Sequence, residues 1–309
     1  MPGRSSFPAQ PRVCRRLASL LLSLGLLAAP VFSPARVLAR NADPALWVVR
    51  DADTTLYLFG TVHMLPKDLA WFDGAVARAF QASDELTLEL LPQEDPAALA
   101  PLILKIAVDP SGRTMAQRLN RQDHAAYVAA LERIGLPAAP LEPLEPWFIA
   151  ITAASVLYAK AGLDPQSGAE AVLTQAARRT GKPITAFETP AEQFSFFDAT
   201  PEAEQLAGLR ELINRPNEAL ALLRRMLEHW ARGEAEDTGR LMNDSLKDTP
   251  ATARLLLSDR NARWAQRLKQ RLARPGVVFV AVGAGHLSGA NSVPDLLRKA
   301  GLQVERVQP

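Results

Sequence analysis

The sequence predicts an α/β fold with a central mixed, largely parallel sheet and a substantial helical insertion or cap. Three observations support this. Short apolar runs of strand length alternate with helical patterns, one run near the end is apolar on both faces, and the middle of the chain is almost wholly helical. An unbroken apolar run is typical of a parallel strand covered on both sides, and such alternation is typical of layered α/β domains.

The chain opens with a segment that we predict to be a secretion signal and not part of the fold. Four arginines precede an apolar run over 17–31, and Val37 and Ala39 stand at the −3 and −1 positions of a cleavage site after Ala39. The run is shorter than the roughly 20 residues that a membrane span needs. We therefore expect a periplasmic or secreted bacterial domain over 40–309, with no stable membrane span after cleavage.

Removal of this signal changes the charge and the cysteine content of the chain. Residues 1–39 hold five arginines and no acidic residue, so their loss takes the formal net charge from +2 to −3. A mildly acidic domain gives no electrostatic reason to expect a nucleic-acid partner. The single Cys14 lies upstream of the apolar run, where it is not placed for lipid attachment. The mature sequence therefore has no thiol nucleophile and no disulfide.

The predicted elements begin with a hairpin and end with a buried strand. Leu46–Arg50 and 55–59 are apolar runs joined by Asp51-Ala52-Asp53, a hairpin pattern. Further strands are expected at 85–91, 183–187, 277–282 and 303–307. Apolar residues at three- and four-residue spacing predict helices at 73–82, 96–107, 114–120, 122–134, 146–161, 168–180 and 293–300, with several more between 191 and 272.

Polar residues stand where four of these strands end. His63 and His286 each follow a strand and have a glycine three positions earlier, while Glu89 and Glu188 end two other strands. Glycine at a strand exit lets the backbone turn sharply, and sites assemble at the carboxyl ends of parallel strands. A carboxylate among apolar residues also needs a cation, a metal or several donors. The sequence therefore predicts a site at this edge.

The residues alone leave the chemistry of this site open. Two neutral imidazoles and one or two carboxylates suit a divalent transition metal such as Mn, Co, Zn or Fe. The same set works without a metal if one histidine is a general base and a glutamate orients it. Each residue taken singly has an equally good structural interpretation, in which it holds two loops together. His124 and His229 fall in polar helical segments and are interpreted as structural.

Other sequence patterns do not indicate a known catalytic motif. The sequence contains no H-E-x-x-H, G-x-S-x-G or Walker loop. The glycine-rich run 283–289 approaches a dinucleotide fingerprint, but it is one residue too long and places His286 where the phosphates would pass. We expect no nucleotide cofactor.

An ordered set of short motifs resembles the TraB/GumN family. The run 58–63 (LFGTVH) resembles its first signature, 85–91 its strand with an embedded glutamate, and 280–289 its closing G-x-G-H-L-x-G element. The segments 162–164 (GLD), 187–189 (FET) and 259–261 (DRN) match further family positions in order. The resemblance covers essentially all of the chain after the signal.

The resemblance implies a wider superfamily that also holds Tiki proteases, erythromycin esterases and ChaN-like haem-binding lipoproteins. Tiki-like members are metal-dependent peptidases with two G-x-x-H motifs and a glutamate, which implies that His63, Glu89 and His286 are metal ligands or catalytic residues. It also implies supporting positions at Arg260, to hold a carboxylate or stabilise an oxyanion, and at Asn261, to orient a ligand.

We therefore expect an exported, metal-dependent, peptidase-like hydrolase that acts on a peptide or small molecule. Glu188 or Asp164 would be the supporting acid. One alternative is a protein that binds haem, a metal or a small ligand without turnover, although the missing lipid-attachment cysteine argues against a ChaN-like lipoprotein. The other alternative is a metal-free esterase in which His63 is the base.

Overall fold

The computed structural model describes residues 41–93 and 96–308, which form a six-stranded sheet with helices on both faces. The predicted signal, 1–39, lies outside the described residues. The strands in chain order are β1 (Leu46–Arg50), β2 (Thr54–Thr61), β3 (Leu65–Pro66), β4 (Glu85–Leu90), β5 (Leu163–Asp164), β6 (Ile184–Glu188), β7 (Gly276–Gly283) and β8 (Val304–Arg306). The main sheet has the order β6-β4-β7-β2-β1-β8.

Four neighbouring strands of the sheet run parallel, as the buried apolar run predicted. β7 pairs with β2 along its whole length, from Thr54 opposite Gly276 to Thr61 opposite Gly283, and with β4 on its other side. β6 continues the parallel set beyond β4. β1 is antiparallel to β2 through the predicted hairpin, and β8 is antiparallel to β1. The predicted mixed, largely parallel sheet is confirmed.

The described helices lie close to their predicted positions. They are α1 (Gly74–Ala82), α2 (Ala100–Ala107), α3 (Met115–Arg118), α4 (Arg121–Arg133), α5 (Pro146–Lys160), α6 (Ala169–Thr180), α7 (Pro190–Asp198), α8 (Glu202–Asn214), α9 (Pro216–Ala231), α10 (Ala235–Leu246), α11 (Pro250–Ala253), α12 (Asp259–Arg271) and α13 (Val293–Lys299). Proline begins several of them, because the first turn does not use its missing N–H.

Each face of the sheet carries its own apolar layer. Phe59 and Phe279 point to one face, where Trp71, Trp230 and residues of α1, α6 and α9 cover them. The alternate residues of β2 and β7 point to the other face, where Trp264 and residues of α12 and α13 pack. Because side chains alternate along a strand, the same two strands supply both layers.

The helical middle of the chain has a separate core. Tyr127 and Leu131 of α4 pack with Ile149 of α5 and with Leu209 and Ile213 of α8. We call this region the cap. It consists of residues 100–214 except for β5, α6, β6 and α7. The substantial helical insertion that the sequence predicted is therefore a cap with a core of its own.

Two local features were not predicted. A two-stranded ribbon pairs β3 with β5, Leu65 opposite Asp164, and two-residue strands are too short to show a period. A π-helical turn, Arg254–Ser258, joins α11 to α12, and Asp259 N–H bonds to the carbonyl of Arg254, five residues earlier. Across the described ranges, no helix combines the length and apolarity needed to cross a membrane.

Candidate active site

The carboxyl edge of the parallel sheet brings four of the predicted residues to one region. Glu89 lies near the end of β4, Glu188 ends β6, and His286 lies in the short 3₁₀ turn directly after β7. These three side chains are buried, whereas His63, two residues after β2, is exposed. Because parallel strands end on the same edge, this placement follows from the topology.

Arg260 is the centre of a buried ion network at this edge. Its Nε and Nη2 donate to Glu188 at 2.9 and 2.8 Å, and Nη2 also donates to Glu89 Oε2 at 2.6 Å. Its Nη1 donates to the carbonyl of Leu256, in the π-helical turn, at 3.1 Å. Burial lowers the pKa of Arg260, but the two carboxylates outweigh burial and raise it. The guanidinium therefore holds carboxylates, one of the two roles that the resemblance implied.

Glu89 is ionised despite its burial. Its Oε1 accepts a hydrogen bond from Gly283 N–H at 2.7 Å, and its Oε2 accepts one from Gln193 Nε2 at 3.1 Å in addition to that from Arg260. Burial favours the neutral acid, but the positive charges of Arg260 and His63 and the Gly283 N–H bring the pKa of Glu89 below its usual range. A carboxylate with several donors keeps its negative charge.

His286 is a neutral imidazole with a defined proton position. Its Nδ1 lies 2.6 Å from Asn261 Oδ1, and Asn261 Nδ2 donates to the carbonyl of Asn291 at 2.9 Å, so the amide oxygen must accept from Nδ1–H. The lone pair is then on Nε2, which lies 3.2 Å from Arg260 Nη1 and 3.7 Å from Glu89 Oε1. Burial lowers the pKa of His286 to about 4.

His63 lies at the open rim of the site, with 75 % of its side chain exposed. Its Nδ1 lies 2.7 Å from Glu170 Oε1, and the same oxygen accepts a hydrogen bond from Thr61 Oγ. The charge of Glu170 raises the pKa of His63, although solvent screens an ion pair that is this exposed. His63 is therefore the accessible member of the set, whereas the side chains of the other three are buried.

Three side chains of the site were not singled out from the sequence: Glu170, Gln193 and Trp264. All three lie on helices, on α6, α7 and α12. Trp264 Nε1 donates to Glu188 Oε1 at 3.0 Å, and the Trp264 ring lies 4.4 Å from the His286 ring, centroid to centroid. Trp264 is four residues after Arg260, on the same helix face, so this spacing was available as a signal. Nothing in the sequence distinguished Glu170.

Asp164, predicted as an alternative supporting acid, has other partners. Its Oδ1 accepts from Gln166 N–H at 3.0 Å, and its Oδ2 lies 3.5 Å from Lys67 Nζ. These contacts cap the turn that leads into α6. The carboxylate beside His63 is instead that of Glu170.

The remaining histidines also pair with carboxylates. His124 Nε2 lies 2.6 Å from Glu142 on the cap, and His229 Nδ1 lies 2.6 Å from Glu234 between α9 and α10. Within the described ranges, the three ligand atoms that lie within 4.8 Å of one another are those of His229, Glu234 and Asp237. Arg232 already binds both oxygens of this Glu234, at 2.9 and 2.8 Å.

The residues at the sheet edge fit a divalent cation in donor chemistry and in charge, but among the described residues the ligand atoms of His63, Glu89 and His286 do not all lie within 4.8 Å of one another. Imidazole nitrogens and carboxylate oxygens are ligands of transition metals. Glu89 and Glu188 pair with the Arg260 guanidinium and Glu170 pairs with His63, so the three carboxylates leave an excess of negative charge even when His63 is protonated. Arg260 contacts the Nε2 of His286, so a cation bound there would take that lone pair in place of the Arg260 hydrogen bond.

Known proteins that are similar to this chain match it over the strands and helices that build the site. The sequence profile of the TraB/PrgY/gumN family matches residues 45–306, from β1 to β8. An uncharacterized protein of Treponema pallidum (strain Nichols) is 24 % identical over 96 % of this chain and 97 % of its own length. The proteins called YbaP of Escherichia coli (strain K12) and Shigella flexneri, also described as uncharacterized, are each 23 % identical over 82 % of this chain and 92 % of their own.

Proposed function

This chain belongs to the TraB/PrgY/gumN family, and from that premise we propose that it is an exported, metal-dependent, peptidase-like hydrolase. One observation carries the proposal: the neutral His286 directs its Nε2 towards the ionised Glu89, beneath the exposed His63. In sequence, the two G-x-x-H motifs and the strand-end glutamate resemble the motifs of Tiki-like metal-dependent peptidases, which supports the proposal. The substrate is a peptide or a small molecule.

His63, Glu89 and His286 would hold the metal, a divalent Mn, Co, Zn or Fe. When bound, the metal would polarise the carbonyl of the scissile bond as a Lewis acid. Asn261 keeps the proton of His286 on Nδ1, which leaves Nε2 free to act as a ligand. Such outer partners of metal-binding histidines set the tautomer and orientation of the ring.

Arg260 and Glu188 have supporting roles in this proposal. Glu188 takes two of the hydrogen bonds of Arg260 and holds the guanidinium at the floor of the site. The positive charge of Arg260 beside His286 would stabilise negative charge that develops on the carbonyl oxygen of a substrate. Glu188 is therefore the supporting acid, because it orients Arg260 and does not itself face the open rim.

The test is the metal content of the purified protein, with the four histidines replaced one at a time by alanine. Wild type incubated with each ion should retain one metal near-stoichiometrically, and His63→Ala and His286→Ala should lose it. His124→Ala is the matched control and should retain it. Loss in His229→Ala alone would place the metal at the His229, Glu234 and Asp237 group, and no retention by wild type would end the metal-dependent proposal.

The His63–Glu170 pair favours a second candidate, a metal-free esterase. His63 is exposed, and a carboxylate oxygen of Glu170 lies 2.7 Å from its Nδ1, so that Nε2 is the nitrogen available to take a proton. A general base that is oriented by an acid has this arrangement. Hydrolysis of an ester substrate that survives chelators and is lost in His63→Ala would establish this candidate. Activity that chelators abolish and a metal restores would support the metallohydrolase instead.

Export is part of the proposal and has its own test. The full chain, expressed in a bacterium with a C-terminal tag, should accumulate in the periplasm with a mature N-terminus at Arg40, as the small residues before that position predict. Replacement of the arginines that precede the apolar run should slow this processing. Retention of an intact N-terminus in the cytoplasm would contradict export while leaving the metal proposal untouched.

A further inference from the structure

Glu170 connects three elements at the rim of the site. It lies in the first turn of α6, and its Oε1 is shared by Thr61, the last residue of β2, and by His63, two residues further on. The backbone links the same segments, because Ala169 N–H donates to the carbonyl of Val62 at 3.0 Å. The beginning of α6 is therefore fixed against the turn that carries His63.

The close approach of these segments requires a glycine. A Cβ at Gly168 would lie 2.0 Å from the carbonyl oxygen of His63 and 3.0 Å from that of Pro165. A negative charge is also favoured in the first turn of a helix. Backbone, helix dipole and side chain thus all hold the Glu170 carboxylate at one place beside the imidazole.

We infer that Glu170 is a positioning residue, which holds the His63 imidazole through Nδ1 and so leaves Nε2 as the nitrogen for chemistry. The inference rests on the proposed function in one respect, namely that His63 acts through Nε2. A side chain that is 75 % exposed has few packing contacts to select its rotamer. The hydrogen bond to Glu170 supplies the missing constraint, as outer-shell carboxylates do for metal-binding histidines.

The two histidines of the site are each held through Nδ1, but by different kinds of partner. Asn261 holds Nδ1 of the buried His286, and Glu170 holds Nδ1 of the exposed His63. In each case the acceptor oxygen is fixed by another bond, from Asn261 to the Asn291 carbonyl and from Thr61 to Glu170. In the neutral form of each ring the proton is then on Nδ1 and the lone pair is on Nε2.

The first test is the position of the His63 proton in metal-free protein labelled with ¹⁵N-histidine, recorded above the pKa of His63, which Glu170 raises to about 9, so that the imidazole is neutral. The signal of His63 is assigned by its loss in His63→Gln. Wild type should show a protonated Nδ1 with a hydrogen-bonded, slowly exchanging proton, and Glu170→Gln should retain it through the amide oxygen. Glu170→Ala should lose that proton and shift towards the Nε2–H form. An unchanged His63 signal in folded Glu170→Ala would overturn the inference.

A matched pair elsewhere in the chain controls this measurement. His229 Nδ1 lies 2.6 Å from Glu234, nearly the same distance as in the site pair. Glu234→Ala should change the His229 signal and leave that of His63 unchanged. Circular dichroism shows whether each variant is folded. If Glu170→Ala does not fold, the measurement is made on Glu170→Gln instead.

The second test separates this inference from the proposed function. Co²⁺ is titrated into wild type, Glu170→Gln, Glu170→Ala and Glu234→Ala, and its visible absorption is followed. Affinity should fall about 10- to 100-fold in Glu170→Ala, less in Glu170→Gln and not in Glu234→Ala. No Co²⁺ binding by wild type would contradict the proposed metal and leave the proton result standing. Equal affinity in all four proteins would contradict the positioning role.

Discussion

In the part of the chain that the structure describes, the side chains of two arginines are buried among carboxylates, one at the sheet edge and one in the cap. The side chain of Arg260 is 5 % exposed and binds Glu89 and Glu188. That of Arg118 is 0 % exposed and binds three acids: Asp109 at 2.5 Å, Glu145 at 3.0 Å and Glu202 at 2.7 Å. By burial and ion pairing alone, the cap cluster is the stronger of the two.

Their surroundings differ in a way that separates structure from function. The acids around Arg118 come from the loop after α2, the beginning of α5 and the first turn of α8, so the cluster ties the segments of the cap together. No histidine contacts Arg118 in the described ranges. Arg260 contacts the neutral His286 and lies beneath an open rim. A buried ion cluster therefore does not by itself indicate a site; what distinguishes the Arg260 cluster is the neutral imidazole beside it and the exposed His63 at the same sheet edge.

The largest effect is expected from removing either arginine. Arg260→Ala and Arg118→Ala should each lower the free energy of unfolding by about 3–5 kcal/mol, because buried carboxylates would lose their cation. Urea unfolding of the mature domain measures both. The comparison predicts that folded Arg118→Ala keeps its metal uptake while Arg260→Ala does not. Loss of uptake in both variants would show that the cap cluster belongs to the site.

Replacement of Asp109 tests the cap cluster through pH. Burial raises the pKa of Asp109, but Ser111, Arg118 and Arg113 outweigh burial and lower it. A lowered pKa stabilises the fold above the unfolded value of about 3.9 and stops doing so as the pH falls through the folded value. Asp109→Asn should cost about 1.5–3 kcal/mol near neutral pH.

The difference between wild type and Asp109→Asn should then shrink as the pH is lowered from about 6 to about 3, the range of the carboxyl pKa values. Urea unfolding at several pH values measures it. A difference that is constant over this range would mean that the charge of Asp109 is not what the arginines recognise.

A smaller effect is expected at the turn that carries His63. Gly168→Ala places a Cβ 2.0 Å from the His63 carbonyl oxygen and should cost about 1–3 kcal/mol, since the backbone must move. The His63 proton signal should change with it, because α6 carries Glu170. A variant as stable as wild type, with an unchanged His63 signal, would contradict the close approach of α6 to this turn.

The smallest effect, of opposite sign, is expected in the cap. Gly208 lies within α8, and a Cβ there meets nothing within 4 Å. Gly208→Ala should therefore raise the free energy of unfolding by about 0.5–1 kcal/mol through helix propensity. Thermal or urea unfolding measures it, and metal uptake should not change. A loss of stability would mean that α8 is not the regular helix described.

The sheet and its polar strand ends could be predicted because each rests on a local pattern. The apolar run over 277–282 predicted a buried strand, and His63, Glu89, Glu188 and His286 follow directly from where strands end. The roles of these residues stay predictions until metal and activity are measured. The pattern of strand ends predicted only that these four residues meet at one edge of the sheet.

The helical contributions to the site could not be predicted in the same way. Glu170 is one acid in the first turn of an ordinary amphipathic helix, and only the packing of α6 against the β2 turn brings it to His63. Gln193 likewise reaches Glu89 from α7, over a sequence separation of more than a hundred residues. Arg260 looked like one more charge on a basic helix until the family motif singled it out.

The π-helical turn, Arg254–Ser258, acts as a phase shift within an otherwise continuous helical stretch from Pro250 to Arg271. Each residue of an α-helix advances about 100° around the axis. Because the wider π turn accommodates one extra residue locally, Arg260, Asn261 and Trp264 follow it in regular α-helical spacing. A one-residue deletion between the turn and Arg260, where nothing absorbs it, would instead rotate these three side chains by about 100° away from the sheet edge.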